Sequence, residues 1–159
     1  RQTLESIKKG VKAMGHSLEE IPQIEDDRIR EQEHGLSLVY NDWRFFHVMH
    51  PEQAVLHDLQ GPYWYQFPQG ESVSMVRDRV RSIVGTIIRE YSGQNVLMIT
   101  HHLTILSIRA ALERLTPEEF IRLDEKEKPV NGGITIYKSD SEQGENGKLL
   151  LKRYNQKLY

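Results

Sequence analysis

The chain has 159 residues, with 21 Lys and Arg against 23 Asp and Glu, seven His and no Cys. That is one domain's worth of protein, able to bury roughly 68–70 % of its unfolded surface without covalent staples. A net charge of −2 gives no reason to expect nucleic acid or an anionic membrane as partner, and the lack of cysteine excludes disulfides, zinc-thiolate sites and thiol catalysis.

In chain order, Leu4, Ile7, Val11 and Met14 recur at helical spacing, predicting an amphipathic helix over 2–14 closed by Gly15. "LEEIPQIED" reads as a short strand or edge segment. Residues 36–69 hold eight of the 13 aromatics (Tyr40, Trp43, Phe45, Phe46, Tyr63, Trp64, Tyr65, Phe67) and, of the Lys and Arg residues, only Arg44. This suits an apolar lid or wall better than a stacking platform for bases, which needs interleaved positive charge. Ser72 is the expected N-cap of a long helix whose buried face carries Val73, Val76, Val80, Ile83, Val84, Ile87, Ile88 and Tyr91. "NVLMIT" (95–100) predicts a central strand buried on both faces. "LTILSIRAALERL" follows as a helix, and Thr116 with Pro117 opens another. "GGITIYKSD" and "KLLLKRY" form a hairpin across the polar "SEQGENG". The alternation of helices and strands argues for an α/β sandwich. With no apolar run near the roughly 18 residues of a membrane span and no signal peptide, the expectation is a cytoplasmic protein.

Three stretches carry chemistry. In "MITHHLTIL", His101 and His102 occupy a strand-to-helix turn, at the carboxyl edge where open α/β sheets bind ligands and where a helix N-terminus favours a phosphate. The plainer reading is two satisfied polar residues at a strand end. In "DDRIREQEHG", Glu31 sits in a loop. A carboxyl beside bound phosphate is kept protonated by the phosphate's charge and can then protonate a leaving alkoxide; Asp26, Asp27 and Glu33 read as a solvated run. In "YQFPQGESVSMVRDRV", Glu71 precedes the helix cap, and the dipole alone would favour a carboxylate there.

Taken together, "REQEHG", "FPQGES" with "DRV", "MITHHLTI", "NGGITIY" and the terminal "RYNQKLY" resemble, in order and spacing, the histidine phosphatase family, the phosphoglycerate-mutase-like branch one. The resemblance runs over nearly the whole chain. It implies a three-layer αβα sandwich and a phosphatase that hydrolyses a small phosphorylated substrate, a phosphomonoester, through a phosphohistidine, with no cofactor and no metal. By position His101 would be the second pocket histidine bonding the phosphoryl oxygens, and Glu31 the proton donor. His102 would contact substrate chiefly through its backbone N–H, with Glu71 beside the substrate. The family's nucleophile lies in an Arg-His-Gly motif on the first strand, absent from this sequence, and the opening "RQT" resembles the end of its second arginine motif. The expectation is therefore one domain over 1–159, incomplete at its N-terminus and lacking its first strands, with 36–69 as lid. As given it would be inactive, with an open sheet edge that favours association, such as a homodimer. "QEHGLS" imitates the nucleophile motif through His34, but Glu33 stands where an arginine should be and no apolar strand precedes it.

Competing readings are a metal-dependent hydrolase using His47, His50 and His57, a non-catalytic binding module on the same fold, and a mutase. The aromatic insert offers little positive charge to grip a second phosphate, which favours phosphatase over mutase.

Overall fold

The computed structural model describes residues 2–40, 42–140 and 148–157; Arg1, Asn41, the "SEQGENG" connection and the last two residues lie outside them. Among the described residues six α-helices run in chain order: α1 (Gln2–Ala13), α2 (Trp43–Met49), α3 (Pro51–Gln60), α4 (Val73–Glu90), α5 (His102–Glu113) and α6 (Pro117–Lys126), with short 3-10 turns at Asp27–Ile29 and Gly35–Tyr40. Strands β1 (Ile134–Asp140) and β2 (Lys148–Gln156) pair antiparallel, with Tyr137 opposite Leu151 and Lys138 opposite Leu150. The result is a helix-rich α/β fold with a small antiparallel sheet. No helix among the described residues is long and apolar enough to cross a membrane.

The helix starts follow from their caps. The Ser72 hydroxyl accepts from Met75 N at 3.3 Å. Thr116 and Glu119 form a reciprocal capping box, with Pro117 at the first helical position. Val73, Val76, Val80 and Ile83 bury the inner face of α4, which packs along α5, and α6 packs on α5. Tyr63, Val73, Leu106, Ala110, Phe120 and Leu123 form the main core. Phe46, Tyr65 and Phe67 form a second one under the insert. The hairpin is tied to α5 through Arg109, which bonds Glu113 and sits 4.0 Å from the Tyr154 ring, while the Tyr137 hydroxyl donates to Glu113.

Two expected strands differ. Residues 18–26 are irregular, with Ile21 and Ile24 exposed. Residues 95–100 form no strand, and Val96 and Leu97 are 45 % and 72 % exposed. The apolar run marked a segment suited to burial, but a central strand exists only between neighbours, and among the described residues nothing pairs with it. The apolar face of α1 is likewise only half-buried, with Met14 exposed.

Candidate active site

The segment 28–33 has almost no regular structure, so its backbone carbonyls need partners from elsewhere. Side chains on and beside two helices supply them. Arg79, on α4, donates Nη1 to the carbonyls of Arg28 and Arg30, each at 2.9 Å, and Nη2 to that of Glu31 at 3.0 Å. The Thr100 hydroxyl donates to Ile29 O, and that of Thr104, on α5, to Arg30 O at 2.6 Å. Arg28 reaches Ser82 and Thr86 on α4 at 3.1 Å each. The loop is thus fixed across the start of α5.

Glu71 holds the other side. Its carboxylate, in a residue only 8 % exposed, takes Arg30 through both oxygens (3.0 and 2.9 Å), Arg79 through both (2.9 and 3.1 Å) and the Glu33 N–H (3.0 Å). Its carbonyl accepts from Gln32 Nε2 at 2.7 Å. Burial alone pushes this carboxyl up, but the Arg79 bond, the Glu33 N–H and the charges of Arg79 and Arg30 outweigh it and hold it below the usual carboxylate range. With its oxygens so fully engaged, Glu71 acts on the 28–33 loop. Its partners Arg30 and Arg79 are not among the residues the motifs single out; the "DRV" that follows the "GES" carries the second.

Glu31 reaches across 72 residues of chain: its Oε2 accepts from Leu103 N, in the first turn of α5, at 3.2 Å, and its Oε1 from Gln32 N at 3.0 Å. A carboxylate on the free donors of a helix start is doubly favoured, by hydrogen bond and by dipole. His101 is the N-cap residue of α5, extended (φ −115°, ψ 175°) and exposed, with no side-chain capping bond. The structure therefore brings Glu31 to the turn that carries His101. The His102 ring instead faces α6, with Nε2 2.6 Å from Asp124 Oδ1. The contact is oblique, an ion pair when the ring is protonated and not a straight hydrogen bond. Asp124 was not foreseen.

The loop that carries Glu31 and the end of the insert cross through two glycines. Leu36 N donates to Pro68 O at 3.0 Å and Glu71 N to Glu33 O at 2.7 Å. A Cβ on Gly35, whose φ is +53°, would lie 2.1 Å from Pro68 O, and one on Gly70 2.4 Å from Glu33 O. Both obstacles are backbone. Gly35→Ala is therefore expected to destabilise by more than ~1 kcal/mol, adding left-handed strain to overpacking, which a thermal melt of the variant beside the native chain reads directly.

Above this crossing the insert stacks rings. His34 lies on Phe67 (centroids 4.7 Å, 27°), and His47 sits among Trp43, His57, Tyr65 and Phe67 at 5.2–6.3 Å. Burial, then the neighbouring His57, makes His47 harder to protonate; burial does the same to His34 against the pull of Glu31 and Glu33. His50 is drawn off to the Tyr40 hydroxyl at 2.9 Å. Among the described residues no group of three His, Asp or Glu side chains is placed to hold a metal ion, so the three-histidine metal reading has no geometry behind it.

A loop clamped through Glu31 onto the start of a helix, next to an exposed N-cap histidine, is the centre of the candidate site in this α/β fold. The chain belongs to the histidine phosphatase superfamily (branch 1), whose family model matches residues 1–149. Solved structures that share the fold include the following two. Bacillus stearothermophilus YhfR has a TM-score of 0.65 and 22 % identity over 86 % of this chain and 63 % of its own. Mycobacterial hydrolase 1 has a TM-score of 0.59 and 20 % identity over 82 % of this chain and 64 % of its own. The chain thus spans just under two thirds of the length of each. No curated protein sequence matches it.

Proposed function

We propose that this chain carries the proton donor and second-histidine side of a site that hydrolyses phosphomonoesters through a phosphohistidine. The observation behind this reading is the Glu31–Leu103 bond, which holds the acid loop against the His101 turn. In that arrangement the α5 N-terminus and the His101 imidazole receive the phosphoryl oxygens, while Glu31 protonates the departing alkoxide. The nucleophile, by family resemblance a histidine in an Arg-His-Gly segment, is not among these 159 residues. Its attack on phosphorus expels the alcohol and leaves a phosphoenzyme, which water then cleaves to phosphate. The family also holds mutases; the single Arg or Lys in residues 36–69 supports hydrolysis over retention of a second phosphate. On a protein that joins this chain to such a segment, alkaline quench during turnover is expected to trap a base-stable, acid-labile phosphohistidine, with phosphate released faster than any monophosphorylated glycerate is isomerised. Dominant isomerisation, or no phosphohistidine during turnover, overturns the reading.

A further inference from the structure

We propose that the outer face of α2 and α3 is an interface with a second copy of this chain, a two-fold pairing in which each copy's helices cover the other's. The proposal is independent of the phosphatase reading. On α2 the inward side is fixed by the buried Phe46 and by the His47 ring, enclosed by Trp43, His57, Tyr65 and Phe67. On α3 it is fixed by Gln53, whose Oε1 accepts from the Tyr65 hydroxyl at 3.1 Å, and by the half-buried Ala54 and His57. By helical periodicity the opposite side of α2 carries Phe45, Val48 and Met49, and that of α3 carries Val55 and Leu59 with Leu56 at its flank. A surface helix turns a polar side outward, and a helix that is apolar all round belongs in an interior. These two have the pattern of buried helices and an outer face open to water.

Area and charge choose the occupant. The six side chains are 41–78 % exposed and offer on the order of 400 Å² of apolar surface. A stable pairing buries about 800 Å² per copy, about 65 % of it apolar in homodimers, so the face supplies most of what a dimer needs. The flanking charges already have neighbours on their own copy: Arg44 lies 3.1 Å from Asp42, and Glu52 and Asp58 each lie 3.5 Å from Nδ1 of His50 and His57. Nothing in the face therefore calls for an oppositely charged partner. Of the Lys and Arg residues only Arg44 falls in 36–69, whereas a helix lying in a lipid surface carries several on its polar side. A face of this kind set against its own copy across a two-fold axis needs no complementary surface elsewhere on the molecule.

The test is sedimentation velocity on this chain across a concentration series. A saturating monomer–dimer equilibrium is expected, ending at twice 18.6 kDa, with a melting temperature that rises with concentration. Val48→Lys and Leu59→Lys, at positions 72 % and 78 % exposed and so tolerant of change, should each weaken dimerisation by about tenfold or more. The circular dichroism of the dilute chain should stay unchanged in both. Leu97→Lys, in the exposed 95–100 segment, should leave the dimer intact, which separates this face from an open sheet edge. The chain has no cysteine, so Asp58→Cys accepts a single nitroxide; mixed with unlabelled chain enriched in nitrogen-15, it should broaden the Phe45 and Val48 amides of the other copy. A chain that stays monomeric throughout, growth beyond a dimer, a dimer that survives both lysine variants, or one dispersed by Leu97→Lys overturns the proposal. So does a monomer that sediments with phosphatidylcholine vesicles until Leu59→Lys releases it, an outcome that assigns the face to lipid.

Discussion

Glu71→Ala is expected to lower the unfolding free energy by about 3 kcal/mol, because removing one partner of a buried ion pair leaves the other uncompensated. Arg79 is the residue stranded, its side chain 14 % exposed, whereas Arg30 at 43 % can turn to water and loses little. Urea unfolding followed by circular dichroism measures this as a lower midpoint at unchanged slope. The same carboxylate sets a pH signature. Its folded-state pKa lies below the usual carboxylate value, so its contribution is complete above the unfolded value of ~4.3 and is lost as pH falls through the depressed one. Glu71→Gln, less stable at neutral pH, should therefore lose less further stability on acidification than the native chain; equal slopes would sink this account of Glu71.

Glu31→Gln separates chemistry from architecture. An amide oxygen can still accept from Leu103 N, with only the local bond from Gln32 N lost, so the loop stays docked and the melting temperature should fall only modestly. The side chain can no longer deliver a proton, and kcat for a substrate with an alkoxide leaving group should fall by about 10²–10⁴. A substrate whose leaving group needs no proton, such as a nitrophenolate, should be affected much less. The assay needs the protein carrying its nucleophile. Equal losses on both leaving groups would assign Glu31 to positioning and remove it as the proton donor.

What the sequence made legible follows the range of each interaction. Ser72, Thr116 and Pro117 announce their helices because a cap acts within three or four residues. The hairpin strands, their apolar residues close in sequence, were equally plain. Residues 95–100 were misread because the burial of a strand belongs to its neighbours, and a run of Val, Leu, Met and Ile cannot report whether they are there. In the site, Glu31 and His101 could be named from their motifs, but the Leu103 amide that unites them is a backbone group with no residue type to betray it. Glu71 looked like an ordinary first-turn carboxylate since its arginines come from 41 residues before it and eight after it. His102 shows the same limit, its ring committed to an aspartate 22 positions on.

The two-glycine crossing separates what can vary from what cannot. Its pair of backbone bonds, from Leu36 to Pro68 and from Glu71 to Glu33, joins the two ends of the 36–69 insert at a single base. A segment closed at its base is a cassette. Lengthening such a closed loop is cheap, with each doubling costing only ~0.6 kcal/mol of closure entropy, and the carbonyls that seat Glu31 are held by Arg79, Thr100 and Thr104, all outside it. Sequence can be added or removed between Leu36 and Pro68 while the Glu31 loop keeps its place. The insert in this architecture is free to change in length and sequence without unseating the Glu31 carboxylate.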